Sequence, residues 1–490
     1  MSKPLLCITV TATTMAELRQ KRDEVVDADL VELRLDSVSD PSAAAALADR
    51  RCPVVVTCRA KSEGGGFKGS EGERHQILAD AMTLGAEYVD IEWRARFDDL
   101  LERSGGRRVV LSMHDFDGMP SDLPGHLQAM RATGAEVIKI AVTPQRLSDC
   151  VALLDLGAQV GGRGGLIVIG MGVYGLATRV LACRFGSKWT YAGSVLDAGQ
   201  LSAQSLLTDY HFRTLTQSTA VYGVTGGSVS HSVSPAMYNA AFRAASVEAV
   251  YLPLPAVDAG DFMTFARALE MSGASVTIPH KVSMFDAVDE ADAVARRIGA
   301  INTIRAVDGR WIGGNTDTTG FLQPLTERVP LRGLRAAVLG AGGAARAVTA
   351  ALASSGCSVR LHARNRAQAA EVVIRTPAEV GEWPPKRGSW DLLVNCTPIG
   401  MYPRIDETPI AAGDLSGRYV YDLVYNPSIT RLMREAVAQG CQTIGGLEML
   451  VGQAHEQFQW WTGTRPPHGV MREAALKRLA EFARDENYVI

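Results

Sequence analysis

The sequence predicts an α/β chain: a closed (β/α)8 barrel, then a unit that contains a nucleotide-binding lobe. Three observations lead there. Eight short β-branched runs alternate with helical patterns in the first 215 residues, a glycine-rich strand–turn–helix junction spans 338–348, and the composition is that of an ordinary globular protein. Of 490 residues, 47% are hydrophobic and 21% charged; the net charge is −3 and Lys and Arg are scattered, so neither nucleic acid nor a membrane is an expected partner. The start "MSKPLLCITVTATT" reads as neither signal nor transit peptide, and the eight cysteines lack metal-ligand spacing. The expectation is a cytoplasmic protein with reduced thiols and no metal.

The strand-like runs are "LLCITV" (5–10), "LVELRLD" (30–36), "PVVVTCR" (53–59), "YVDIEW" (88–93), "RVVLSMHDF" (108–116), "VIKIAV" (137–142), "GLIVIGM" (165–171) and "WTYAGS" (189–194). In such a barrel, polar groups near strand C-termini face the catalytic mouth. Here they are Glu32, Arg34, Arg59, Glu92, His114 and Lys139. Lys139, flanked by isoleucines, admits two readings: a poorly solvated neutral amine that attacks a ketone to form an imine, or an ammonium held by a neighbouring carboxylate. His114 ends the preceding strand. Beside an imine, a histidine base could remove an acidic C–H proton and drive loss of a β-hydroxyl as water; alone, such a histidine is more often structural. Arg34, Arg59 and Arg179 suit a carboxylate-bearing polyol, with surface salt bridges as the alternative.

At these residues a family pattern emerges. "VELRLD", "TCRAKSEGG", "SMHDF", "VIKIAV" and "GMGVYGLATR … FGSKWTY", in this order, resemble type I 3-dehydroquinate dehydratase over about residues 5–205. The resemblance implies a TIM barrel over 1–215, with Lys139 as Schiff-base lysine and His114 as general acid/base assisted by Glu63. It also implies that Glu32, Arg34, Arg59, Arg179 and the lid residue Gln200 bind 3-dehydroquinate. The family's "SAPGQ" reads "DAGQ" here, so the lid serine is missing or displaced near Ala198.

"TLTQSTAVYG" (214–223) is short and polar, a linker by composition. Further on, "LRAAVLGAGGAARAVTAALASSG" reads as strand, tight turn and helix, so Gly340, Gly342 and Gly343 would let the backbone approach a pyrophosphate at a helix N-terminus. The next strand runs into Arg364, Asn365 and Arg366, where an acidic residue would mark NAD; basic residues match the 2′-phosphate of NADP. Lys281 in "TIPHK" and Asp317 in "GNTD" are a candidate proton-transfer pair, while His280 reads as structural.

This half resembles shikimate dehydrogenase across about 220–485, on "HSVSPAMYNAAF", "VTIPHK", "GAINT", "NTDTTGF", "GAGGAARA", "NCTPIGM", "YDLVYNPSITRL" and "GGLEMLVGQAHEQF". The resemblance implies a substrate lobe over 219–325, completed by 446–490, and a Rossmann NADP lobe over 326–445. It makes Lys281 and Asp317 catalytic. Ser232, Ser234, Thr277, Asn302, Tyr425 and Gln453 would hold the substrate. Gly340, Ala341, Gly342, Gly343, Ala344, Asn365, Arg366, Thr397, Gly446 and Met449 would line the NADP site, together with Arg364. Ser228 replaces a common proline, Ala367 a common threonine, and residues 372–390 form a short connection.

The product implied for the first half, 3-dehydroshikimate, is the substrate implied for the second. The expectation is therefore a bifunctional enzyme of the shikimate pathway that dehydrates 3-dehydroquinate and then reduces the product with NADPH to shikimate. An imine-forming aldolase barrel fused to a dehydrogenase, a quinate-preferring second half and a non-catalytic quinate sensor are the rivals. A sensor would be expected to lose catalytic groups, and Lys139, His114, Lys281 and Asp317 are all present.

Overall fold

The structure, a computed structural model, describes residues 3–160, 165–193 and 199–484. The chain divides into two compact units, Met1–Thr219 with Thr264–Leu269, and Ala220–Met263 with Glu270–Ile490. No helix among the described residues is long and apolar enough to cross a membrane.

The first unit holds β1 (Leu5–Val10), β2 (Leu30–Arg34), β3 (Val54–Thr57), β4 (Tyr88–Glu92), β5 (Val109–Asp115), β6 (Val137–Val142), β7 (Leu166–Gly170) and β8 (Trp189–Ala192). These are the eight runs read from the sequence, trimmed at their ends. They pair in parallel in the order β7-β6-β5-β4-β3-β2-β1-β8. Among the described residues no ladder joins β7 to β8. The ring is clasped there by Lys188 N–H donating to Leu166 O (2.7 Å) and Val168 N–H donating to Ser187 Oγ (3.0 Å).

Alternation along each strand sorts the interior into layers. Cys7, Val55, Val110, Val137, Ile167 and Trp189 belong to one apolar cluster. Two residues further along their strands stand Thr9, Thr57, Ser112, Lys139 and Tyr191. The register sets Glu32 beside Thr9, Asp90 beside Thr57 and Ser112 beside Lys139, so the polar layer gathers at one depth.

In the second unit, β9 (Ala220–Gly226), β10 (Ala249–Pro255), β11 (Gly273–Val276), β12 (Glu290–Ala291), β13 (Thr303–Val307) and β14 (Arg310–Gly314) form a mixed sheet in the order β10-β9-β11-β13-β14-β12. The linker expected at 214–223 needs correction: β9 begins inside it, because Val221, Tyr222 and Val224 are core residues.

The remaining strands are β15 (Arg335–Leu339), β16 (Ser358–His362), β17 (Glu379–Val380), β18 (Leu392–Asn395), β19 (Tyr419–Asp422) and β20 (Gln442–Ile444). All run parallel in the order β17-β16-β15-β18-β19-β20, the doubly wound order with its switch point beside β15. Both faces are covered, Ala336 and Val338 packing with Val348 and Leu352, Ala337 and Leu339 with Trp390 and Leu432. The short 372–390 connection leaves β17 two residues long, and turns rather than a helix lead from it to β18.

Candidate active sites

Lys139 lies mid-strand in β6, on the face shared with Val137 and Ala141, which belong to the interior cluster; Ile138 and Ile140 take the opposite face. The isoleucines therefore do not surround its amine. Lys139 Nζ instead meets Asp90 Oδ2 at 3.2 Å and Glu32 Oε1 at 3.9 Å, and stands 4.4 Å from the centre of the Tyr191 ring. Of the two readings left open, the lysine beside carboxylates is the one observed.

Asp90 Oδ2 is shared. Arg59 Nη2 also donates to it at 3.0 Å, while Ser112 Oγ donates to Asp90 Oδ1 at 2.6 Å. Arg59 Nη1 donates to Ser112 Oγ (2.8 Å) and Glu92 Oε1 (3.4 Å), and lies 3.3 Å from His114 Nδ1. Arg74 backs the assembly through Glu92 Oε2 at 2.5 Å. Thr9 and Thr57 hydroxyls donate to the two oxygens of Glu32 at 2.8 and 2.9 Å. Against the effect of burial, Arg59 and Lys139 hold the Asp90 carboxyl far below the usual carboxylate range.

His114 Nδ1 lies 3.0 Å from Glu63 Oε2. Burial, with Arg59 and Lys139 nearby, drives the imidazole well below its ordinary value, so the resting ring is neutral. Burial pushes Glu63 up to about 7. Arg34 is gripped by Asp36 through two bonds of 2.9 and 2.8 Å, and burial lowers Arg179 to about 10. Gln200 folds back over the end of β8, where a Cβ on Gly193 would come within 2.5 Å of its Oε1. Ser194 and the lid position near Ala198 lie outside the described residues.

The second site forms where Lys281, in the turn after β11, meets the first residue of the helix Asp317–Thr326: Nζ to Oδ2 is 2.5 Å. Asn302 Nδ2 donates to Asp317 Oδ1 (2.8 Å) and Thr316 Oγ1 (2.9 Å), with Gln453 Oε1 at 3.4 Å. The helix carrying Gln453, Gly446–Thr462, comes close because Gly320 has no side chain; a Cβ there would sit 2.7 Å from Gln453 Cβ. Ser234 opens the helix Ser234–Ala244, its N–H donating to Ser232 Oγ at 3.2 Å. Thr277 lies over Gly226, and Tyr425 packs on the core of this lobe. His280 is buried with Nε2 2.9 Å from Ala256 O, the structural role read from the sequence.

In the nucleotide lobe, Gly340 takes φ +108°, a left-handed conformation that favours glycine, as the chain leaves β15. Gly342 is exposed and starts the helix Gly343–Ser354 with no side-chain cap; Ala341 and Ala344 are half-buried beside it. Arg364, Asn365 and Arg366 are all exposed at the next helix start, where Asn365 Oδ1 accepts from Ala367 N (3.1 Å) and Gln368 N (3.3 Å). Asn365 is thus a cap, and the two arginines are the groups open to an anion. Thr397 Oγ1 donates to Asn395 Oδ1 at 2.7 Å. Gly446 abuts the Leu423 carbonyl, and Met449 packs in the lobe's core.

The family model for type I 3-dehydroquinase matches residues 6–217, that for the shikimate dehydrogenase substrate binding domain matches 224–304, and that for the shikimate 5′-dehydrogenase C-terminal domain matches 446–476. A chloroplastic bifunctional 3-dehydroquinate dehydratase/shikimate dehydrogenase of Arabidopsis thaliana is 33% identical over 94% of this chain and 83% of its own. The chain belongs to that bifunctional family. A shikimate dehydrogenase (NADP(+)) of Symbiobacterium thermophilum is 43% identical over 53% of this chain and 94% of its own. A solved shikimate dehydrogenase in complex with NADP+ is 35% identical with a TM-score of 0.51, covering 54% of this chain and 97% of that one.

Sequence reasoning missed Asp90, Ser112, Arg74 and Asp36. A signal existed for two of them: Asp90 precedes Glu92 by two residues and Ser112 precedes His114 by two, so each shares its partner's face. Behind Thr397 it missed Asp422, which accepts from Asn395 Nδ2 (2.9 Å) and Thr430 Oγ1 (2.6 Å). Burial pushes Asp422 up to about 6.

Proposed function

We propose that residues 1–215 dehydrate 3-dehydroquinate and that residues 219–490 reduce the resulting 3-dehydroshikimate to shikimate. The observation that carries the first step is the shared Asp90 oxygen, which ties Lys139 to Arg59 and through it to His114. Lys139, as the free amine, attacks the ketone and forms an imine with loss of water. Neutral His114 removes a C–H proton next to that imine, Glu63 steadying the imidazolium. The same proton returns to the departing β-hydroxyl, which leaves as water, and hydrolysis of the imine frees Lys139. Arg34, Arg59, Arg179, Glu32 and Gln200 hold the carboxylate and hydroxyls.

The second step needs a dinucleotide, and the residues fit one. The uncapped helix start at Gly342, the left-handed Gly340 and the exposed Arg364 and Arg366 suit a diphosphate and a 2′-phosphate. Gly340 to Ala344 would hold the diphosphate, Arg364 and Arg366 the 2′-phosphate, and Thr397, Gly446 and Met449 the rest of the cleft in a lobe spanning 326–445. When bound, NADPH supplies a hydride. Lys281, oriented by Asp317, delivers the proton to the ketone oxygen. Ser232, Ser234, Thr277, Asn302, Tyr425 and Gln453, from a substrate lobe of 219–325 completed by 446–490, fix the ring.

The test is a coupled assay on the full chain: 3-dehydroquinate with NADPH should give cofactor oxidation and shikimate. Borohydride added during turnover should leave a reduced adduct on the Lys139 peptide. Oxidation from 3-dehydroshikimate alone, with no adduct, would reject the barrel half of the reading.

A further inference from the structure

The glycines of the 340–343 turn do not share one purpose. Gly340 needs its left-handed φ of +108°. At Gly342 a Cβ would meet no atom within 4 Å, so that position opens outward. Gly343 is buried and differs from both: a Cβ there would lie 2.7 Å from Lys281 Cβ, 3.0 Å from its Cδ and 3.3 Å from its Cγ. The nearest atom is at the root of that lysine, not at its flexible tip, and real Cβ contacts are not found at such a separation.

Lys281 cannot retreat along its own backbone, because its carbonyl accepts the Ile301 N–H at 2.7 Å. Its other end is fixed on Asp317 at 2.5 Å. The helix beginning at Gly343 also packs against the helix beginning at Asp317, with Phe321 and Leu325 in one core cluster with Val348 and Leu352. One helix therefore touches the lysine stem with its first residue and supports the aspartate's helix with its body.

We propose that Gly343 is a positioning residue for Lys281. Its lack of a side chain seats the lysine stem, so the dinucleotide helix braces the Lys281–Asp317 pair besides receiving the cofactor. A methyl group at 343 moves Lys281 off Asp317, or pushes the helix away from both. The inference rests on the assignment of Lys281 and Asp317 as the proton-transfer pair, which Lys281→Ala tests separately.

The experiment compares Gly343→Ala with Gly342→Ala in the full chain, measuring reduction of 3-dehydroshikimate across pH together with NADPH binding by fluorescence. Gly343→Ala should lower kcat at saturating NADPH roughly tenfold or more and alter the pH profile of kcat, a loss larger than any change it makes in the Kd for NADPH. Gly342→Ala, at a position that does not touch Lys281, should act mainly through a higher Kd for NADPH and leave the shape of the kcat pH profile as in the wild type. If Gly343→Ala weakens NADPH binding and leaves kcat intact, or changes neither, the proposal is overturned.

If Gly343→Ala also lowers the thermal midpoint, adding Lys281→Gly must recover part of the loss relative to Lys281→Gly alone, because only that change removes the crowding Cβ. A loss indifferent to position 281 overturns the proposal too. A chain in which Lys281→Ala still reduces at the wild-type rate would instead refute the assignment of the pair.

Discussion

Lys139 and Lys281 are both lysines paired with an aspartate, yet they are fixed in different ways. Lys139 stands mid-strand in a sheet where β1 to β5 each supply a polar group at the same depth, and its side chain is 6% exposed. Lys281 sits in a turn between two sheets of the second unit, 13% exposed, with one carboxylate and an asparagine behind it. A lysine that must form and release a covalent bond needs several groups to move its protons, and a barrel interior provides them from consecutive strands. A lysine that only hands a proton to oxygen needs one partner and a position beside the hydride donor, which a junction between sheets supplies.

The contrast breaks first at the lysines themselves. Lys139→Ala should lower dehydration by about 10⁴-fold or more and leave reduction of added 3-dehydroshikimate unchanged. Lys281→Ala should lower reduction by about 10³-fold and spare dehydration. Separate half-reaction assays on each purified variant check both, and loss of both activities in a folded variant would contradict two independent sites.

The shared oxygen comes next. Asp90→Asn leaves Arg59 and Lys139 buried without their common anion, which should cost about 3 kcal/mol of barrel stability and most of the dehydration activity. Chemical denaturation followed by barrel tryptophan fluorescence reads the first effect. A comparable loss of reduction activity would place Asp90 outside the scheme.

Smaller effects sharpen the picture. Arg366→Ala should raise the KM for NADPH by about tenfold and that for NADH far less, since only one carries the 2′-phosphate. Glu63 becomes a carboxylate as pH rises through about 7, and the anion supports the imidazolium that His114 becomes. Wild-type dehydration should therefore climb with pH through that range. Glu63→Gln should flatten the climb and lower the plateau about tenfold; an unchanged profile would detach Glu63 from His114.

Periodicity made the barrel legible because each strand is a compact β-branched run, as in "VVVT" and "VIKIAV", bounded by helical patterns. The residues with intrinsic chemistry, Lys139, His114, Lys281 and Asp317, were legible too. What stayed hidden depends on which strands lie side by side. Asp90 matters because β4 and β6 present it and Lys139 to the same interior, a fact of register rather than of local sequence. The flanking isoleucines misled for the same reason: neighbours in sequence lie on the opposite face of a strand. Gly343 looked like a phosphate-loop glycine until the fold brought Lys281 against it.

The clasp between β7 and β8 has its own consequence. Among the described residues seven interstrand ladders complete the ring, and the eighth joint relies on one carbonyl and a serine hydroxyl. Hydrogen exchange at the Val168 and Lys188 amides is therefore expected to run ahead of exchange in the seven ladders, and equal protection would show that this joint opens no more readily than the rest. Tyr191, whose ring centre stands 4.4 Å from Lys139 Nζ, lies in the strand on one side of that joint, so the joint borders the polar layer around the lysine.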